Sequence, residues 1–303
     1  MSLVTVCVLT YNPDWTKFRN TLKSIICQKG VDFDIVISDD GSKENCFDKA
    51  EEYLKANNFF AYRFVANQQN QGTVKNTVSA LQNVESKYVK LISPGDFLYD
   101  ENVLAEFVDF AEKNPAAAYF GNAVYYSVDS NDVVKIHADK YDPWDLAPWI
   151  ENNYKKIRRN YFYRRNYILG ASVFCQRKYL YDYLNLLKDI IKYTEDMFLM
   201  YGIANGDNIL YVDKNIVFYE YGSGLSANHQ TVVNEDIVNI HKYLRYGNKI
   251  SLIEFLLGTT QSFFPRLVLK LLIDPHGLVC WLFRKDKKQN EKNVLDKLKT
   301  FLK

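Results

Sequence analysis

Runs of apolar residues alternate with amphipathic stripes through the first 126 positions of the chain. Residues 4–9 read as a buried strand. Residues 15–28 place Phe18, Leu22, Ile25 and Ile26 on one stripe at helical spacing. The same alternation continues with strands at 33–37, 62–66, 88–92 and 117–126, and helices at 47–56, 73–84 and 101–113. Buried strands separated by amphipathic helices imply an α/β fold, with a mainly parallel central sheet flanked by helices.

In such a sheet, the loops leaving the carboxyl ends of the strands converge on one crevice. In chain order they carry Thr10-Tyr11-Asn12, Asp39-Asp40-Gly41-Ser42, Asn70-Gln71-Gly72 with Lys75 and Asn76 just beyond, and Ser93-Pro94-Gly95-Asp96. The last is the most pointed. A short strand runs into Ser-Pro-Gly, which continues neither strand nor helix, and then presents one carboxylate. Such an acid can hold a metal or a hydroxyl, although Pro-Gly-Asp is also an ordinary turn. No glycine-rich dinucleotide fingerprint follows the first strand and no P-loop occurs anywhere, which excludes the common dehydrogenase and NTPase cradles. Phosphates bound here need another counter-charge, and a metal ion on Asp96 is the natural candidate.

Composition narrows the field a little. A net charge of +2 argues against a nucleic-acid partner, and 48% hydrophobic with 24% charged residues is ordinary for a soluble domain. The aromatic share of 15% suits a sugar or lipid surface but also simply fills a core. The five cysteines are scattered without a paired spacing, as expected of reduced thiols in a cytoplasmic protein. No leader is visible ahead of Val4, and no apolar run reaches the roughly 18 residues of a spanning helix.

Three later stretches carry further signals. Between Glu151 and Asp182 lie Lys155, Lys156, Arg158, Arg159, Arg164, Arg165, Arg177 and Lys178 with no acid, interleaved with Tyr154, Tyr161, Phe162, Tyr163 and Tyr167. That pattern suits a phosphate-bearing partner or a solvated basic face. Glu195 and Asp196 follow Thr194, an expected cap for a helix over 195–203; acids in a first turn are common for dipole reasons alone. A glycine-rich loop at 219–226, followed by His229, comes after an apolar run. The last seventy-odd residues read as amphipathic helices ending near Arg284-Lys285-Asp286-Lys287-Lys288. Their apolar faces suit a membrane surface, packing on the preceding chain, or a homodimer.

Taken together, the pieces Val4-Thr-Val-Cys-Val-Leu-Thr-Tyr-Asn12, Ile35-Val-Ile-Ser-Asp-Asp-Gly-Ser42, Asn70-x-Gly72 with Lys75-Asn76, Asp96 and Thr194-Glu-Asp-Met-Phe-Leu199 resemble glycosyltransferase family 2, inverting enzymes of the GT-A fold, over residues 3–225. The resemblance implies a catalytic domain over 1–230, with a nucleotide-sugar half at 1–96 and an acceptor half at 97–230, followed by a C-terminal helical extension at 231–303. It implies that Thr10, Tyr11 and Asn12 flank the nucleotide base, with Tyr11 stacking on it. Asp40 would bond the base or ribose, and Asn70, Gly72, Lys75, Asn76 and Gly95 would complete the donor site.

Asp96 matches the last acid of the motif that holds Mg²⁺ or Mn²⁺ on the donor diphosphate, and Asp196, paired with Glu195, matches the catalytic base. Arg158, Arg159, Arg164, Arg165 and Gly170 fall where an acceptor would lie, and the basic cluster suits a glycan carried on a polyprenyl diphosphate. The chain departs from the family in having Ser93, Pro94 and Gly95 where further acids usually stand. Mg²⁺ tolerates one or two carboxylates when phosphates supply the rest. The expected protein is therefore a metal-dependent transferase of bacterial surface polysaccharide assembly, using a UDP-sugar at the inner face of the cell membrane. The alternative is a catalytically weak paralogue that binds glycans or nucleotide sugars.

Overall fold

The computed structural model describes residues 2–222, 230–282 and 291–302. Its first half follows the alternation in the sequence. Strands β1 (Val4–Thr10), β2 (Phe33–Asp39), β3 (Tyr62–Ala66) and β4 (Tyr88–Ile92) are parallel and lie in the order β3-β2-β1-β4. Helices α1 (Trp15–Ile26), α2 (Phe47–Ala56) and α3 (Thr73–Leu81) connect them. The start of α1 is fixed by Asp14, whose carboxylate accepts from the Lys17 N–H at 2.9 Å. Phe18, Leu22 and Ile25 on its inner face are buried against β1 and β2.

Beyond β4 the sheet is mixed. The chain continues through β5 (Phe97–Leu98), α4 (Val103–Lys113), β6 (Ala118–Val128), β7 (Val134–Ile136), α5 (Ala147–Ile150) and α6 (Tyr154–Arg164). It then forms β8 (Val173–Gln176), α7 (Arg177–Leu187), α8 (Phe198–Asn205) and β9 (Ile209–Glu220). The sheet order runs on from β4 through β8, β6 and β9 to β5, with β8 antiparallel to both its neighbours and β9 parallel to β6. The parallel expectation thus covers β1 to β4 and the β6–β9 pair. Four-residue β8, set between two helices rich in Tyr and basic residues, has no readable period.

After residue 230 the chain forms α9 (Gln230–Tyr246), α10 (Leu252–Thr259), α11 (Phe263–Ile273), α12 (Pro275–Leu282) and α13 (Glu291–Leu302). These helices pack on what precedes them. Ile237, Ile240 and Leu244 of α9 join the core with Ile157, Phe162 and Met200. Leu298 and Phe301 of α13 cover Phe97, Tyr126 and Phe218. Helix α11 buries none of its residues. No helix among the described residues is long and apolar enough to cross a membrane.

Candidate active site

The loops at the carboxyl ends of β1, β2 and β3 are locked to one another. Asp40 N–H donates to Thr10 O at 2.9 Å, and Thr10 Oγ1 donates to Asp39 Oδ2 at 3.0 Å. Asn12 adopts the left-handed region (φ 45°), and its N–H donates to Ser42 Oγ at 2.6 Å. The Asp40 carboxylate accepts from Gln71 N–H at 3.0 Å, Gly72 N–H at 2.8 Å and Asn67 Nδ2 at 3.2 Å. Asp40 therefore shapes the 70–72 turn, against which Gly41 packs so closely that a Cβ there would meet Gln69 and the Asn70 nitrogen.

Asn76 is buried. Its amide bonds Ser38 and Asn67, so it serves the loop frame. Lys75 pairs with Asp189 at 2.9 Å on the surface. Tyr11, like its neighbour Asn12, is open to solvent, at 53% exposure, with a ring free to stack on a planar ligand.

Asp96 stands beside this frame. Gly95 has φ 101°, its N–H donates to Thr21 Oγ1 at 3.0 Å, and its carbonyl accepts from the Tyr126 hydroxyl. A side chain at 95 would strike Glu220 Oε2, so glycine lets the end of β9 close in. The Glu220 N–H donates to Asp96 Oδ1 at 3.0 Å, and the Glu220 carboxylate is held by Lys17 Nζ at 2.6 and 2.7 Å. Asp96 is 7% exposed, and burial pushes its carboxyl up to about 7 against the opposing pull of the Glu220 N–H and the Lys90 charge. Lys90 lies wholly buried in β4, its ammonium donating to Leu91 O at 2.8 Å and to Ala171 O.

The donor set decides how a divalent cation fits. No three His, Cys, Asp or Glu side chains among the described residues gather to hold one. Asp96 and Glu220 supply two carboxylates, one oxygen of which already accepts a backbone N–H. Two carboxylates suit Mg²⁺ or Mn²⁺ when phosphates bring the remaining oxygens. The residues fit a cation delivered with a diphosphate.

The second pair of acids follows a segment joined to the loop frame, since the Lys192 carbonyl accepts from the Val74 N–H. Glu195 and Asp196 lie in a short 3-10 turn, Glu195–Met197, that leads into α8. Thr194 does not cap it. Its hydroxyl donates instead to Asp236 of α9 at 3.2 Å, because that buried carboxylate already collects the neighbouring backbone N–H groups. Gly170 packs on Asp196 with no room for a Cβ, and Ala171, next in the chain, takes the Lys90 ammonium that also acts on Asp96. The turn Gly170–Ser172 thus touches Asp196 directly and is linked to Asp96 only through Lys90. Burial raises the carboxyls of both Glu195 and Asp196, and the charge of Asp236 adds to it.

The arginines form a different set of contacts. Arg158 grips Glu254 through Nε and Nη2 at 2.8 and 3.0 Å. Arg164 and Arg159 both reach Asp274, at 2.6 and 3.0 Å, and Arg165 donates to Gly258 O at 2.7 Å. All four tie α6 and its C-terminal end to the helices after residue 250. Residues 223–229 of the glycine-rich loop, including His229, and the basic run 284–288 lie outside the described residues.

Lys17, Lys90, Glu220 and Asp236 went unnoticed as candidates in the sequence. Lys90 alone gave a local signal, a cation inside an otherwise apolar strand. A cavity of about 640 Å³ lies at the opposite, amino-terminal ends of β1 to β3, lined by Phe33, Asp34, Phe59 and Arg63, and touches none of these residues.

Comparison with known proteins bears on this geometry. Residues 5–184, more than half of the chain, match the family described as Glycosyl transferase family 2. No curated protein sequence matches significantly. Among solved structures, S. aureus TarS 1–349 superposes with a TM-score of 0.57 at 14% identity, over 100% of this chain and 81% of that one. Its complex with UDP-GlcNAc gives 0.59 at 17% identity, over 99% and 80%. Its complex with UDP gives 0.53 at 17% identity, over the same shares. The likeness establishes a GT-A fold.

Proposed function

The chain belongs to glycosyl transferase family 2, and from that membership we propose that it moves a sugar from a nucleoside diphosphate donor, a UDP-sugar, to a hydroxyl with inversion at the anomeric carbon. The observation that supports the proposal is a link between two acid groups, Asp96 with Glu220 and Asp196 with Glu195, through the turn Gly170–Ser172. There Gly170 packs on Asp196, and Ala171 accepts from the Lys90 ammonium that acts on Asp96. One acid group suits a diphosphate with its cation and the other a proton in transit.

Asp196 is the general base in this reading. As the acceptor oxygen bonds to the anomeric carbon, its proton passes to the Asp196 carboxylate, and the bond to the diphosphate breaks with its electron pair leaving on the phosphate oxygen. The raised carboxyl of Asp196 brings its basicity closer to neutral pH. When bound, Mg²⁺ or Mn²⁺ at Asp96 supplies positive charge against the leaving diphosphate. Tyr11 stacks on the base, and Asp40 holds the 70–72 turn in shape for the donor.

The acceptor is a glycan on a lipid diphosphate, met at an anionic membrane surface. Phe263, Phe264 and Leu272 of α11 are more than 70% exposed, while the nearby acids Glu254 and Asp274 are neutralised by arginines. Flotation with anionic vesicles, lost on Phe263→Ser/Phe264→Ser/Leu272→Ser, supports this. A monodisperse dimer that does not float overturns it.

The function itself is tested by release of UDP from a panel of UDP-sugars with Mn²⁺ and acceptor glycans. Turnover abolished by Asp196→Asn and by Asp96→Ala is the expected result. Donor binding without turnover across the panel favours the second reading, a nucleotide-sugar-binding paralogue, which the deep burial of Asp96 also suits.

A further inference from the structure

The 3-10 turn bearing Glu195 and Asp196 is closed by the Met197 N–H on Thr194 O at 3.0 Å. The segment that leads into it, residues 192–194, is held by Asp236, in the second turn of α9 and 4% exposed. Asp236 Oδ1 accepts from the Lys192 N–H at 3.0 Å. Asp236 Oδ2 accepts from the Tyr193 N–H at 2.7 Å, the Thr194 N–H at 3.1 Å and Thr194 Oγ1 at 3.2 Å. Four donors from three consecutive residues on one carboxylate leave that segment little freedom, and bonds to a charged acceptor are the stronger kind. The segment is pinned on its other flank as well, since the Lys192 carbonyl accepts from the Val74 N–H at the start of α3.

We propose that Asp236 is a positioning residue for sugar transfer, aiming the proposed base Asp196 by fixing the backbone of residues 192–194. The inference rests on the reading of Asp196 as base. It also makes α9, which lies outside the residues matched by the family, part of the catalytic apparatus. A base misplaced by an ångström forfeits much of its advantage, so a residue that touches no substrate still governs the chemical step.

The charge of Asp236 offers a signature that simple scaffolding lacks. The groups acting on or facing Asp196 are Glu195 in its own turn, Asp236 from α9, Tyr161 from α6 and Tyr167 from the loop after it. Removing the Asp236 charge takes away one influence that favours the protonated base.

The test compares Asp236→Asn with wild type and with Asp196→Asn, using UDP release against pH. For Asp236→Asn we expect kcat to fall about tenfold or more while the KM for the donor stays within about twofold. The acid limb of the rate profile should also move to lower pH. Wild-type kcat and an unmoved limb in Asp236→Asn, with Asp196→Asn inactive, overturn this inference alone. Wild-type turnover in Asp196→Asn overturns the base assignment and this inference with it. Thr194→Val removes only the 3.2 Å hydroxyl bond and carries the test if Asp236→Asn fails to fold. A smaller loss of kcat at unchanged donor KM supports the proposal, and a wild-type kcat overturns it.

Discussion

The N–H of Val74 donates to the carbonyl of Lys192 at 3.1 Å, and through that bond the loop frame at the head of the parallel strands is joined to the turn that carries Glu195 and Asp196. The connection extends in both directions. Asp40 takes the Gly72 N–H two residues before Val74, and Asp236 takes the Lys192 N–H. A series of short polar contacts thus runs from the end of β2 to helix α9. The first half of the sheet and the proposed base are set by one another.

Gly72 is the tightest point in that series. Its φ is 92°, and a Cβ there would collide with both the backbone and the side chain of Lys192. Gly72→Ala is expected to lower stability by about 1–3 kcal/mol from backbone strain alone, with the collision added. Gly206→Ala is the control, because φ there is 89° while the nearest atom lies at 3.8 Å, an ordinary contact. Thermal melting of the two should show the larger loss at 72. Equal losses would mean that Lys192 yields freely and does not transmit the fit.

Much of this fold was legible because β1, β2 and β4 are short and buried, and because all four parallel strands are separated by helices with a clear apolar stripe. The crevice was legible for the same reason, since strand ends in a parallel sheet fix where the loops go. What stayed hidden depends on partners far along the chain. Asp40 reads as an acid offered to a ligand, and nothing near it announces that residues 71 and 72 occupy its oxygens. The arginines of α6 read as a phosphate site because Glu254 and Asp274, which engage three of them, lie about a hundred positions later. Asp236 looks like one of many acids on an amphipathic helix, and only the fold reveals the three residues it gathers.

The pH dependence of turnover follows from the burial of the acid pair. A general base works only when unprotonated, so the rate rises as pH passes upward through its pKa. Burial raises Asp196 and Glu195, and the charge of Asp236 raises both further. The acid limb of kcat/KM should therefore lie above the range of about 4 usual for a carboxylate. Glu195→Gln is expected to leave the limb in place while activity persists, because the Glu195 carboxyl, raised to about 8, is already protonated where Asp196, raised to about 6, titrates. A limb near 4 in wild type would show that the acids are solvated in the working enzyme.

The arginines on α6 separate a docking role from a ligand role. Asp274 has a 3% exposed side chain and depends on Arg164 and Arg159 for its counter-charge. Losing the buried partner leaves an uncompensated charge, a change worth on the order of 3 kcal/mol. Arg164→Ala should therefore lower the melting temperature strongly, while Arg159→Ala, whose side chain is 53% exposed, should do so only slightly. Acceptor KM should be unchanged in Arg159→Ala. A raised acceptor KM without loss of stability would return these residues to the acceptor site.

Cation binding gives a last prediction, in which the order of binding matters. Asp96 is deeply buried, one of its oxygens accepts the Glu220 N–H, and the Glu220 carboxylate is held by Lys17. A cation arriving alone must compete with that ammonium for Glu220, with few further oxygens to complete its shell. A cation arriving on a diphosphate brings its own oxygens and faces a smaller cost. Mn²⁺ alone should therefore change the melting temperature little. UDP with Mn²⁺ at about a hundredfold over the dissociation constant should stabilise the protein by about 2.7 kcal/mol. Asp96→Ala should abolish the Mn²⁺-dependent part of that stabilisation and leave the part due to UDP. Lys17→Met releases Glu220, so it should make Mn²⁺ alone more effective than in wild type. The same stabilisation by Mn²⁺ with and without UDP would mean that this chain holds its cation before the donor arrives, and that Lys17 is no competitor for it.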